Sequence, residues 1–146
     1  MSDPIRPTDF PLVTTCRLRY ADTDRQGHVN NAVFAEMLEV GRTELLYDPA
    51  SPLAAPGCAF VIARLTLDFR AELTWPGDVV IGTKVASLGR SSVTLAQALF
   101  EDGRCAAIAE TVIVQMDEAT RRSHPLAELA RTRLEALRGA NAAGSA

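Results

Sequence analysis

The feature that most limits the folds open to this chain is a long series of apolar–polar alternations, from residue 60 to residue 116, cut by short turns. Successive side chains of an extended strand point to opposite faces, so a period of two marks half-buried strands. Phe60 to Leu73 carries Val61, Ala63, Leu65, Leu67 and Phe69 on one face, and Trp75-Pro76-Gly77-Asp78 then turns the chain into Val79 to Leu88. After Gly89-Arg90, Ser92 to Phe100 alternates through Val93, Leu95, Gln97 and Leu99. Asp102-Gly103 leads into Ala106 to Met116, which alternates through Ile108, Val112, Val114 and Met116. Asp-Gly between two alternating runs is a strong hairpin signal, because the tightest hairpin turns need positive φ at both central residues. Connections this short join antiparallel neighbours. A largely antiparallel sheet follows.

Upstream the period changes. Thr14 to Tyr20 alternates Cys16, Leu18 and Tyr20 with Arg17 and Arg19, which predicts a further strand. Ala21 to Asn31 is polar loop chemistry. A helix is expected from about Ala32, capped by Asn30 or Asn31 and ending by Asp48, before Pro49. Val33, Phe34, Met37, Leu38, Val40, Leu45 and Leu46 fall mostly on one side of it, with Glu36, Glu39, Arg42 and Glu44 on the other. Gly41 inside this helix costs about 1 kcal/mol of propensity against Ala, and close approach of the backbone to a sheet is one reason to keep it there. Leu126 to Leu137 reads as a short C-terminal helix. Residues 1–11 read as a loose arm and residues 139–146 as a disordered tail of a single domain spanning 1–146. The expected fold class is α+β, one long helix covering a five-stranded sheet. Such a sheet is large for one helix, so its other face and its edges call for a partner subunit.

Composition removes several function classes. The net charge of −3 and the lack of a basic stripe argue against nucleic acid as a partner. No apolar run approaches the roughly 18 to 20 residues of a membrane span, and residues 1–11 lack the apolar core of a signal peptide. Cys16, Cys58 and Cys105 are odd in number and widely spaced, which suits a reduced, cytoplasmic protein with no disulfide framework. The two histidines, His28 and His124, have no Cys or acidic cluster at ligand spacing, so no metal site is expected.

The chemistry concentrates in Tyr20-Ala21-Asp22-Thr23-Asp24-Arg25-Gln26-Gly27-His28-Val29-Asn30-Asn31, between a strand and a helix start. A helix N-terminus offers free N–H groups and a positive dipole end, which suit a developing oxyanion. A nearby carboxylate can attack a carbonyl or activate water. Asp22-Thr23-Asp24 followed by Gly27-His28-Val29-Asn30-Asn31 resembles the signature of the 4-hydroxybenzoyl-CoA thioesterase-like branch of the hotdog superfamily. The resemblance continues through the Gly41-Arg42-Thr43-Glu44 run, Phe69-Arg70, Pro76-Gly77-Asp78, Gly89-Arg90-Ser91-Ser92 and Thr120 to Leu126, covering about Thr14 to Leu129. It implies a hotdog fold, a curved sheet wrapped around one central helix, assembled as a homodimer or homotetramer with the site between subunits. It further implies hydrolysis of an acyl-CoA or acyl-carrier thioester, with no bound cofactor because CoA is part of the substrate.

Carried over residue by residue, the resemblance makes Asp24 the catalytic carboxylate, as nucleophile or general base. The amide of Asn31, or of its neighbour, becomes the carbonyl-polarising group, and His28 a helper. Arg90, Ser91 and Ser92, with Arg121 and Arg122, become contacts for CoA. Plant-type acyl-carrier thioesterases share H-V-N-N and add an Asn where this chain has Gln26. Each residue also has a plainer reading. An isolated loop Asp caps turns, Asp22 suits backbone bonding, His28 suits loop formation, and the arginines suit solvated turns. Glu36, Glu39 and Glu44 suit a solvated helix face, although another hotdog branch places its carboxylate on this helix. Two rival activities share the fold, a hydratase or dehydratase acting on acyl thioesters and a non-catalytic acyl-CoA-binding protein.

Overall fold

Five strands and one long helix account for most of the protein; the structure, a computed structural model, describes residues 4–138. Their order is β1 (Leu12–Arg17), α1 (Asn31–Leu46), β2 (Cys58–Phe69), β3 (Asp78–Leu88), β4 (Ser92–Glu101), β5 (Arg104–Asp117) and α2 (Glu128–Glu135), with short 3₁₀ turns at Pro7–Asp9 and Tyr20–Asp22. The sheet order is β1-β3-β4-β5-β2 and every pairing is antiparallel; short turns join β3 to β4 and β4 to β5, whereas β2 and β3, linked through Trp75-Pro76-Gly77-Asp78, do not pair, and β2 crosses to the far edge beside β5. Asp102 and Gly103 take φ of 52° and 78°, the positive pair that a two-residue hairpin needs. This is the expected hotdog arrangement. The residues read as a disordered tail, 139–146, lie outside the described residues.

α1 lies on one face of the sheet. The side chains it covers come from alternate positions, Val79, Ile81 and Val85 on β3, Val93, Leu95 and Leu99 on β4, and Ile113 on β5. They meet Phe34, Met37, Leu38, Leu45 and Leu46 of the helix. Each such side chain contributes about 1.5 to 3 kcal/mol on leaving water. Gly41 is the point of closest approach. A Cβ there would stand 2.8 Å from Gln97 Nε2 and from Ile81 Cγ2, and 3.0 Å from Thr83 Oγ1.

Several expectations need correction. β1 stops at Arg17 rather than Tyr20, because Arg19 N–H bonds the Asp22 carboxylate and the chain curls there. Tyr20 is therefore exposed and meets Trp75 edge-on at 5.3 Å. β2 ends at Phe69, and an irregularity between Ile62 and Arg64 shifts its phase. Val61, paired with Val114, thus turns away from the face that holds Leu65, Leu67 and Phe69. On β5 it is Ala107, Ala109, Thr111 and Ile113, register partners of the helix-facing residues, that turn inward, not the larger series from Ile108 to Met116. Residues 1–11 were expected to form a loose arm, yet Pro7–Asp9 forms a turn and Phe10 is buried over Gly82 and edge-on to Phe100. Arg42, expected on the polar side of the helix, is buried.

Candidate active site

The loop before α1 is built by its own polar groups. Asp22 is buried, and its carboxylate accepts from Arg19 N at 2.8 Å, Arg19 Nη2 at 2.8 Å and Arg19 Nε at 3.2 Å. The Arg19 side-chain bond, opposed by burial, holds the Asp22 carboxyl below the usual carboxylate range. Its backbone oxygen accepts from Asn30 N at 2.9 Å, tying the two ends of the loop together. Between them the chain makes a small hairpin. Thr23 bridges to Val29, and Asp24 N donates to His28 O at 2.7 Å. Gly27 closes the turn at φ 82°, a conformation that side chains disfavour, which accounts for the glycine of the motif. Val29 then docks on Leu73 and His28 on Thr74, at the end of the sheet where β3 begins and β4 ends.

Asp24 sits exposed at the tip of this hairpin. One carboxylate oxygen, Oδ1, accepts from Gln26 N at 2.8 Å and His28 N at 3.2 Å, which fixes the side chain. Oδ2 has no protein partner among the described residues, so one oxygen is held and the other is unengaged. Asn30 is the N-cap, accepting from Ala32 N at 2.9 Å. Asn31 is the first helical residue, and its own N–H has no acceptor among the described residues. The half-buried His28 ring meets Glu72 Oε2 through Nε2 at 3.1 Å. Glu72 was missed in the sequence, where it lay inside an apparent strand. Glu44 is occupied elsewhere, accepting from Thr14 Oγ1 at 2.7 Å.

The candidate CoA contacts gather at the opposite end of the sheet. Gly89 N bonds Ser92 O at 2.8 Å, making the tight turn that presents Arg90, Ser91 and Ser92. Gln115 on β5 ties this turn to the segment after Asp117, donating through N to Ser91 O and through Nε2 to His124 O and Pro125 O. Arg121 and Arg122 are exposed beside it. Arg131 of α2, also missed in the sequence, donates to Gly89 O at 2.7 Å and Arg90 O at 3.2 Å. The ten residues of β4 separate this cluster from the Asp24 end by about 30 Å within one chain. The structure therefore groups Asp24, His28 and Asn31 at one end and Arg90, Ser91, Ser92, Arg121 and Arg122 at the other. A hollow of about 820 Å³ lies on the sheet face away from α1, between the N-terminal turn and Arg64, Lys84, Ile108 and Glu110, and contains none of these residues.

The model of the thioesterase-like superfamily matches residues 18–134, most of the chain and all of the loop just described. The chain belongs to the thioesterase-like superfamily. A thioesterase from Thermus thermophilus, solved with coenzyme A and zinc, is 30% identical, with 88% of this chain and 95% of that one covered at a TM-score of 0.76. A protein from Pseudomonas aeruginosa is 24% identical over 94% of this chain and 97% of its own, with a TM-score of 0.83. A DHNA-CoA thioesterase from Staphylococcus aureus shares the fold at 22% identity and a TM-score of 0.77, over 90% and 93% of the two chains. A comparison with curated proteins gives no match. Cys16, Cys58 and Cys105 are all unpaired, and burial pushes each thiol up, away from a reactive thiolate. No helix among the described residues is long and apolar enough to cross a membrane.

Proposed function

We propose that this protein hydrolyses an acyl-CoA or acyl-carrier thioester, with Asp24 as the catalytic carboxylate. The observation that carries the reading is the pairing of a clamped carboxylate, one oxygen free, with an unoccupied helix N-terminal amide seven residues on. Asp24 attacks the thioester carbonyl or draws a proton from water. The Asn31 amide, at the positive end of α1, stabilises the oxyanion. His28, steadied by Glu72, borders the same loop and assists departure of the thiolate.

The acting unit is a dimer formed through β2. That strand is the edge of the sheet, and Val61, Ile62, Leu65 and Phe69 on it are exposed. A bare apolar edge favours pairing with another strand. Two β2 strands paired antiparallel about a two-fold axis set the Asp24 end of one chain beside the Arg90 end of the other. The two groups, about 30 Å apart in one chain, then face one bound CoA ester. Arg90, Arg121 and Arg122 meet its phosphates and Ser91 and Ser92 add hydroxyl donors. A reducing, cytoplasmic setting agrees with the three unpaired cysteines.

The test is thiol release from a panel of short, long and aromatic acyl-CoAs, run beside an enoyl-CoA hydration assay. Thiol release in the panel supports hydrolysis. Hydration without thiol release assigns the site to a hydratase, and binding with neither reaction assigns it to a carrier of acyl-CoA.

A further inference from the structure

Residues 72–74 lie between β2 and β3, outside both strands, and seat the Asp24 hairpin. Leu73 is fully buried and its carbonyl accepts from Val29 N at 2.9 Å. Thr74 pairs with His28, and the Glu72 carboxylate meets His28 Nε2 at 3.1 Å. His28 in turn holds Asp24. Its N–H donates to Asp24 Oδ1 at 3.2 Å, and its carbonyl accepts from Asp24 N at 2.7 Å. The direction of the Asp24 carboxylate therefore depends on where residues 72–74 sit.

Two side chains of the β4–β5 hairpin grip that segment. Glu101 ends β4 and Arg104 begins β5, on either side of Asp102-Gly103. Glu101 is 7% exposed, a depth at which a carboxylate is costly unless it is bonded. Its Oε1 and Oε2 share the Thr74 N–H at 3.2 Å and 3.3 Å, and Oε1 also accepts from Thr74 Oγ1 at 3.4 Å. Arg104 Nη2 stands 3.6 Å from the same Oε1 and donates to Glu72 O at 3.0 Å. An Asp-Gly turn closes a hairpin by its own backbone, so neither side chain is needed for the turn between them. Both reach outward, to the backbone that seats His28.

We propose that Glu101, seconded by Arg104, is a positioning residue for the reaction: through Thr74 and His28 it fixes the Asp24 hairpin in its working geometry. The proposal rests on the reading of Asp24 as the catalytic carboxylate. Two pairings separate Glu101 from that carboxylate, Thr74 with His28 and His28 N with Asp24 Oδ1. Glu101→Gln keeps the size of the side chain and removes half of the grip. With its oxygen at the Oε1 position, its amide NH₂ takes the place of Oε2 and opposes the Thr74 N–H, donor against donor. Thr74 shifts, and the hairpin shifts with it. A misplacement of about 1 Å at the reacting group costs about a hundredfold in rate, while the ester still binds.

The experiment is a double-mutant cycle on thiol release from an acyl-CoA, read as kcat and KM separately, with amide hydrogen exchange on the same proteins. Glu101→Gln is expected to lower kcat by about ten- to a hundredfold with KM little changed. In the Asp24→Asn background the same change is expected to lower kcat no further, because Glu101 acts only through Asp24. Exchange is expected to quicken at residues 24–29 and to stay as in wild type at Leu95 and Ile113 in the core. A wild-type kcat in Glu101→Gln overturns the proposal. So does an equal fall in both backgrounds, or exchange that quickens throughout the sheet, which is the mark of general destabilisation. Asp24→Asn releasing thiol at the wild-type rate sinks the catalytic reading instead; local quickening at residues 24–29 in Glu101→Gln then still supports the grip on the hairpin, and unchanged exchange there overturns it. If Glu101→Gln does not fold, Arg104→Met, which frees Glu72 O by removing a side chain more than half exposed, is read in the same way.

Discussion

Replacing Gly41 by Ala adds one methyl group at the point where α1 meets the sheet. The new Cβ would stand 2.8 Å from Gln97 Nε2, 2.8 Å from Ile81 Cγ2 and 3.0 Å from Thr83 Oγ1. Carbon contacts become favourable only near 3.5 Å, so a gap of about 0.7 Å has to open. None of the three neighbours is free to retreat. Ile81 is fully buried, Thr83 and Gln97 nearly so, and the Gln97 amide is bonded to Leu38 O at 3.1 Å. The helix must lift, and a lift of this size breaks that bond. Overpacking costs about 1 to 3 kcal/mol, and the lost bond about 1 kcal/mol more. Ala returns about 1 kcal/mol in helix propensity. The net destabilisation is about 1 to 3 kcal/mol, a fall in Tm of roughly 3 to 9 °C for a chain of this size. Urea denaturation of the purified variant reads it directly. A variant as stable as wild type, or more stable by the amount Ala gains on an open helix, would refute the tight seating of α1.

Two further outcomes follow from the loop and the edge. Asp22→Asn is expected to destabilise by about 1 to 3 kcal/mol near neutral pH, since it weakens a charge-assisted network around a buried carboxylate. Because Asp22 is held below its ordinary range, its advantage is present above the unfolded value of about 3.9 and fades as pH falls through the folded value; the gap between the denaturation midpoints of the two proteins should therefore be constant near neutral pH and narrow in the acid range. Ile62→Glu places a charge on the exposed apolar edge of β2. Sedimentation should show the proposed β2-paired dimer weakened more than tenfold, with activity falling in step; an unchanged, active dimer would move the interface elsewhere.

Much of this was legible in the sequence because its causes are local. Alternation and the Asp102-Gly103 turn set the antiparallel order, and Asn30 and Gly41 announced a capped helix pressed on a sheet. What escaped depends on contacts distant in sequence. The slip between Ile62 and Arg64 in β2 is set by pairing with β5, so the face of Val61 could not be read from period alone. Arg42 looked like part of a solvated face because charge is ordinarily exposed, and only the packed sheet reveals its burial. Glu72 lies 44 residues from His28 in the chain, and no local pattern marks that meeting. The five residues matched to CoA contacts were correctly recognisable as turn residues, but their position opposite Asp24 emerges only from the strand order.

The most direct test of the central claim is the rate of thiol release from a good acyl-CoA substrate by wild type and by Asp24→Asn at equal concentration. Asp24 is exposed and its side chain braces only its own hairpin, so the variant should fold and still bind the ester. The account predicts a fall in kcat of about 10²- to 10⁴-fold, the scale set by loss of a catalytic base, with folding and ester binding retained. A variant that releases thiol at the wild-type rate would contradict the assignment of Asp24.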